Sequence, residues 1–212
     1  MAKVTSCVGA LIVAVVLTVT NAGNVRAASA GSSVALLALP SPQTGQTTPE
    51  TRRQVQAIGD RLRAEGFRVV VAGTKDSTPA EELTAVANAS AVDLVLGFRS
   101  LGTARRCAAV IAPPPVPRPV QSGSSATQVE LAALVRRMMA FARFEASASL
   151  ADSLASDGEW CHPTPTGVAR YVLEASIAPT VLVGLPSRDQ GRFMDRLPAV
   201  VRGWQAAERK RE

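Results

Sequence analysis

The chain has a single histidine, His162, and this bounds its chemistry more tightly than any motif. A catalytic zinc requires about three nitrogen, oxygen or sulfur side chains converging on it, with one position left open for water. His162 follows Cys161 directly and Cys107 is a further possible donor, but no fourth protein ligand is indicated. Nucleophilic hydrolysis by serine or cysteine needs a base beside the nucleophile, and His162 is again the only histidine that qualifies. A loop histidine followed by proline is ordinarily solvated or packed, so neither chemistry is expected of it. The sequence contains no G-x-S-x-G elbow, no phosphate-binding P-loop and no dinucleotide fingerprint.

Of the three cysteines, Cys7 lies in an amino-terminal apolar run, which leaves Cys107 and Cys161. In an exported protein these two either pair or stay as two buried thiols. A bond between them would close a long loop, contribute about 4 kcal/mol in the chain-entropy model, and require Cα atoms within ~7 Å of each other.

Residues 1–30 carry the marks of an export signal. Lys3 gives a positive start, Cys7 to Thr20 is almost uncharged and apolar, and small residues near Ala27 and Ala30 offer cleavage positions. The apolar run falls short of the ~20 residues of a comfortable membrane span, so a membrane association is expected only if this segment stays uncleaved as an anchor. The expected location is the periplasm or the extracellular cell envelope. The net charge is +6, with arginines spread along helical faces and Arg209-Lys210-Arg211 as the one tight run. Aromatic residues make up only 4%, too few for the stacking platforms that bind nucleic acid, which excludes that partner class. An anionic cell-envelope polymer is a compatible partner.

Around these residues the pattern is that of an α/β chain. Val34 to Leu39 is a continuous apolar run, expected of a strand covered on both faces. Pro40 to Gln46 then forces a loop, Thr48-Pro49-Glu50 opens a helix that Gly66 stops, and Phe67 to Ala72 is a second strand. Thr78-Pro79-Ala80-Glu81 reads as a capping box for a helix ending near Ser90, followed by a third strand, Leu94 to Phe98. Cys107 to Ile111 reads as a fourth strand, and the Pro/Ser-rich segment 113–125 as an extended spacer. A capping box at Thr127 introduces a long helix from Gln128 to about Asp157, with a break expected near Ala146 to Ser149 and with Met138-Met139 as core filling. Val168 to Leu173 and Thr180 to Leu185 read as the last two strands, and a final helix follows Ser187, kinked or restarted at Pro198. The expectation is one domain over 31–212: a six-stranded, mostly parallel sheet with helices on both faces.

Leu62, Gly66, Val69-Val70-Val71, Asp76, Ala87-Asn88, Asp93-Leu94 and the run to Arg99 resemble the middle of the zinc-dependent N-acetylmuramoyl-L-alanine amidases. Those enzymes cut the peptide stem from peptidoglycan glycan strands, and the resemblance spans roughly Val34 to Trp204. It implies a histidine ligand in a glycine-rich loop after the first strand and a glutamate ligand opening the next helix. It also implies a second histidine ending the third strand and a catalytic glutamate after the last. In this chain the loop is Pro40 to Gly45 around Gln43, Glu50 lies near the glutamate's place, Arg99 stands where the second histidine would be, and Gly184 replaces the catalytic acid.

The resemblance therefore implies a degenerate cleft of Gln43, Glu50, Arg99 and Gly184, brought together at the carboxyl ends of the strands. Zinc is the family's cofactor, its ligands are missing, and an arginine cation in its place would repel it. Glu50, if it reaches the cleft, should pair with Arg99. Asn88 and Asp93 are expected to make local backbone hydrogen bonds. The function expected is that of a non-catalytic binder of peptidoglycan or of a cell-wall enzyme. The alternatives are an active amidase with a divergent metal site, or an envelope structural protein whose old cleft is filled.

Overall fold

Thr48 starts the first helix as its residue types dictate. Its hydroxyl accepts a hydrogen bond from Thr51 N at 3.1 Å, Pro49 occupies the first turn, and α1 runs over Pro49–Ala64. Gly66, at φ +87°, reverses the chain, and Phe67 N donates to Leu62 O. The structure, a computed structural model, describes residues 32–89, 92–99, 105–111 and 128–211. The signal segment 1–30, the Pro/Ser-rich segment 113–125 and the capping box at Thr127 lie outside the described residues.

The strands are β1 (Ser33–Ala38), β2 (Arg68–Ala72), β3 (Leu94–Phe98), β4 (Cys107–Ala109) and β5 (Thr180–Gly184). They form a five-stranded sheet in the order β2-β1-β3-β5-β4. β1 pairs in parallel with β2 and β3, β3 pairs in parallel with β5, and β4 runs antiparallel to β5 at the edge. The remaining helices are α2 (Ala80–Ala87), α3 (Gln128–Ala155), α4 (Gly167–Ala175) and α5 (Gln190–Glu208).

Alternation along the strands splits the core in two. Val34, Leu36, Leu94, Leu96, Phe98, Val181 and Val183 pack with α1, α3 and α5, including Ile58, Leu150, Phe193 and Trp204. Ala35, Leu37, Leu39, Val95 and Leu182 pack with Leu83 and Ala87 of α2 and with Ala169, Val172 and Leu173 of α4. Strands buried on both faces read as unbroken apolar runs, which is how β1, β3 and β5 appear in the sequence.

Several expectations are corrected. The run Val168 to Leu173 belongs to α4, not to a strand, so the sheet has five strands and not six. Ala169, Val172 and Leu173 are buried while Arg170, Tyr171 and Glu174 are not, a helical stripe that six residues of mixed apolar character cannot announce by themselves. β4 ends at Ala109. α2 starts from Pro79 without a side-chain cap, so the Thr78 capping box does not form. α3 is continuous through Ala146 to Ser149, where Ser147 returns its hydroxyl to Arg143 O at 2.8 Å and accepts from Thr180 N. Pro198 sits inside α5, which runs through it and does not restart there.

Met138 and Met139 are 64% and 61% exposed and fill no core, and among the described side chains of α3 the buried ones lie from Ser147 on. Asn88 and Asp93 bond across the fold instead of locally. Asn88 donates to Ala175 O and accepts from Ile177 N, closing the carboxyl end of α4. Asp93 accepts from Ser33 N at 2.8 Å, and its own N–H donates to Ser33 O, which aligns the starts of β1 and β3.

Candidate functional site: the carboxyl edge of the sheet

Parallel register brings the ends of three strands side by side. Ala38 lies opposite Phe98 and Phe98 opposite Val183, so the next row reads Leu39, Arg99, Gly184, and Cys107 of the antiparallel β4 pairs with Gly184 to complete it. The bonds Leu39 N to Phe98 O at 2.7 Å and Arg99 N to Val183 O at 3.2 Å hold the row together. With strands ~4.8 Å apart, Arg99 and Cys107 lie about 10 Å from one another. Crevices of open α/β sheets form at this edge, outside the carboxyl strand ends.

Arg99 is the unusual member. Its side chain follows Val95 and Gly97 in the strand alternation, on the α2 and α4 face, and the residue is only 4% exposed. It forms no ion pair among the described residues, and its Nε is buried without a hydrogen-bond partner. Burial holds the guanidinium below its ordinary pKa. The expected pair with Glu50 is not made: Glu50 sits exposed in the first turn of α1. Gln43 is exposed in the loop after β1, where its N–H donates to Ser41 Oγ. Gly184 closes the last parallel strand and brings no side chain.

Two buried hydroxyls share this edge. Thr47, in the loop after β1, and Thr78, in the loop after β2, both have Oγ1 atoms with no partner. Thr47 N donates to Asp76 O at 2.9 Å, tying the two loops together. Gly73 makes the close approach possible: at φ +79°, a Cβ there would lie 2.0 Å from Ala38 O.

Beside the row, Cys107 and Cys161 form a disulfide with Cα atoms 4.4 Å apart. It fixes the segment after α3 against β4, with Ala108 N donating to Cys161 O and Cys161 N to Arg106 O. That segment delivers a group that sequence reasoning did not single out. Asp157 takes Arg106 at 2.7 Å and Arg196 as ion partners and accepts from Trp160 Nε1 at 3.1 Å. Arg106 also lies over the Trp160 ring, which meets Phe193. Burial pushes the Asp157 carboxyl up, but hydrogen bonds from Arg196 and Trp160 and the charges of Arg196 and Arg106 outweigh it and bring it to about 2. The only sequence signal for this group was a tryptophan flanking Cys161, because its members come from three separate elements.

His162 is exposed, with Nδ1 3.1 Å from Ala108 O. Its neighbour Cys161 and Cys107 are consumed by the disulfide and offer no thiolate. Among the described residues no three His, Cys, Asp or Glu side chains gather in a way that could hold a metal ion. The donors at the strand ends therefore do not fit the zinc that the resemblance implies: a guanidinium is a cation without an electron pair to give.

No protein-family model and no curated protein matches the sequence. Solved structures do match. The CwlD amidase from Clostridioides difficile, in complex with the GerS lipoprotein, gives a TM-score of 0.50 at 7% identity, over 84% of this chain and 100% of that one. The N-acetylmuramoyl-L-alanine amidase AmiC2 of Nostoc punctiforme gives 0.49 at 7% identity, over 84% and 99%. Cwp6 from Clostridium difficile gives 0.45 at 16% identity, over 81% and 27%. At such identities the likeness is one of fold, and the fold is amidase-like.

Proposed function

We propose that this chain is an exported cell-envelope protein that keeps the amidase fold and binds peptidoglycan, or a cell-wall enzyme, without hydrolysing it. The observation that carries the reading is Arg99, buried at the end of the central strand, without an ion pair among the described residues and with its Nε unpartnered. Amide hydrolysis needs an activated water and an acid to protonate the departing amine. Arg99 can neither take nor give a proton near neutral pH, Gly184 has no side chain, and Gln43 is exposed in its loop. On this reading the strand-end row of Leu39, Arg99 and Gly184 can bind an anion and offers no group that moves a proton. On this reading the protein holds no stoichiometric zinc. A protein partner is compatible with it, since the CwlD amidase is found in complex with a lipoprotein.

The test incubates the purified protein with insoluble peptidoglycan and measures sedimentation and released stem peptide, with zinc supplied and with a chelator. The expected result is co-sedimentation with no release. Release that the chelator abolishes would show an active amidase and overturn the reading. The variant Arg99→His is expected to remain inactive, because the loop Pro40 to Gly45 has no histidine and Gly184 supplies no acid.

A further inference from the structure

A cation taken out of water without a counter-charge is among the least tolerated groups in a folded protein, and nearly all buried donors find a partner. Arg99 breaks both rules at once, being 4% exposed, unpaired among the described residues and unpartnered at Nε. Its surroundings on the same edge do not correct this. Thr47 and Thr78 add two buried hydroxyls without partners, in the loops that leave the two strands β1 and β2. α1 begins two residues after Thr47 and α2 two residues after Thr78, so the amino-terminal ends of both helices face this side of the sheet, with Glu50 in the first turn of α1 and Glu81 and Glu82 in that of α2 offsetting part of their positive charge. Arg99 and the two hydroxyls can donate to an anion, Asp76 in the same loop as Thr78 is already paired with Arg52, and a metal cation beside Arg99 would meet repulsion.

We infer that Arg99 anchors a carboxylate-binding site at the carboxyl edge of the sheet, and that its ligand is the lactyl carboxylate of muramic acid. The identity of the ligand rests on the proposed peptidoglycan-binding reading and deepens it. In N-acetylmuramoyl-L-alanine that carbon is a neutral amide, which offers one carbonyl oxygen. Once the stem peptide has been removed by another enzyme, the same carbon is a carboxylate, which a guanidinium takes with two parallel charge-assisted hydrogen bonds. A site built on Arg99 therefore prefers glycan that has already lost its peptide over glycan that still bears it.

The experiment is calorimetric titration of the wild-type protein with N-acetylmuramic acid, with N-acetylmuramoyl-L-alanine amide, which carries no carboxylate, with N-acetylglucosamine and with inorganic phosphate. N-acetylmuramic acid is expected to bind about tenfold or more tightly than either neutral sugar. Arg99→Gln should lose that preference, and Arg99→Lys should keep part of it as a point charge. Equal binding of the neutral amide, no binding of N-acetylmuramic acid, or binding of phosphate in its place each overturns the inference. If Arg99→Gln fails to fold, the comparison of acid with amide on the wild-type protein still decides. Retention by insoluble peptidoglycan without binding of N-acetylmuramic acid sinks this inference and leaves the proposed function standing. Arg99-dependent binding of the acid without retention does the reverse.

Discussion

On the proposed reading Arg99 gives up stability for what it binds, and the difference is measurable. In the ligand-free protein its orphaned Nε carries an unmet desolvation penalty of about 1–3 kcal/mol, so Arg99→Met, which keeps the length and removes the charge, should raise Tm by a few degrees. A fall in Tm would mean that Arg99 has a partner it depends on. Asp157 behaves oppositely. Its folded pKa of about 2 lies below the ordinary 3.8, so its contribution is complete above pH 3.8 and is lost as the pH falls toward 2. Thermal melts across that window should show the wild type losing stability faster than Asp157→Asn. At neutral pH the variant should be less stable by about 2 kcal/mol, less than for a fully buried pair, because Arg106 and Arg196 keep partial contact with water. Parallel pH curves for the two proteins would refute the assignment.

At the scale of elements, the disulfide joins the start of β4 to the segment after α3 across 54 residues. Loop-closure entropy for that length is worth about 4 kcal/mol, so reductant and Cys161→Ser should each lower the denaturant midpoint substantially, the first reversibly on reoxidation and the second permanently. Gly73→Ala should cost about 2 kcal/mol or more, since strain at positive φ adds to a backbone clash with Ala38 O; an unchanged midpoint would show that the loop after β2 can shift freely. Both devices were only half legible in the residues. The two cysteines could be paired on paper, but the φ of Gly73 could not be read from its type. Strands β1, β3 and β5 were plain because burial on both faces leaves an unbroken apolar run. α4 was misread because six residues fit a buried strand and a helix stripe equally, and only its packing against α2 decides between them.

The whole molecule adds a charge of +6 to the local site, and the two act over different ranges. Sequence alone placed Arg99 at a strand end, yet no spacing foretold that it would form no ion pair among the described residues, with Glu50 exposed in the first turn of α1. The consequence is a two-part salt dependence. On the proposed reading exposed arginines attract an anionic wall polymer through water, and at ~1 M salt the screening length shrinks to ~3 Å, which removes most of that attraction. Arg99 acts from a buried position at contact distance, where mobile ions screen little. Wild-type retention on immobilised glycan strands stripped of their stem peptides should therefore fall with salt to a plateau, and Arg99→Gln should fall along the same curve to nothing. If both proteins lose retention completely, the wall is held by surface charge alone and the strand-end site contributes no binding. A plateau that survives in Arg99→Gln would place the salt-resistant contact elsewhere on the molecule.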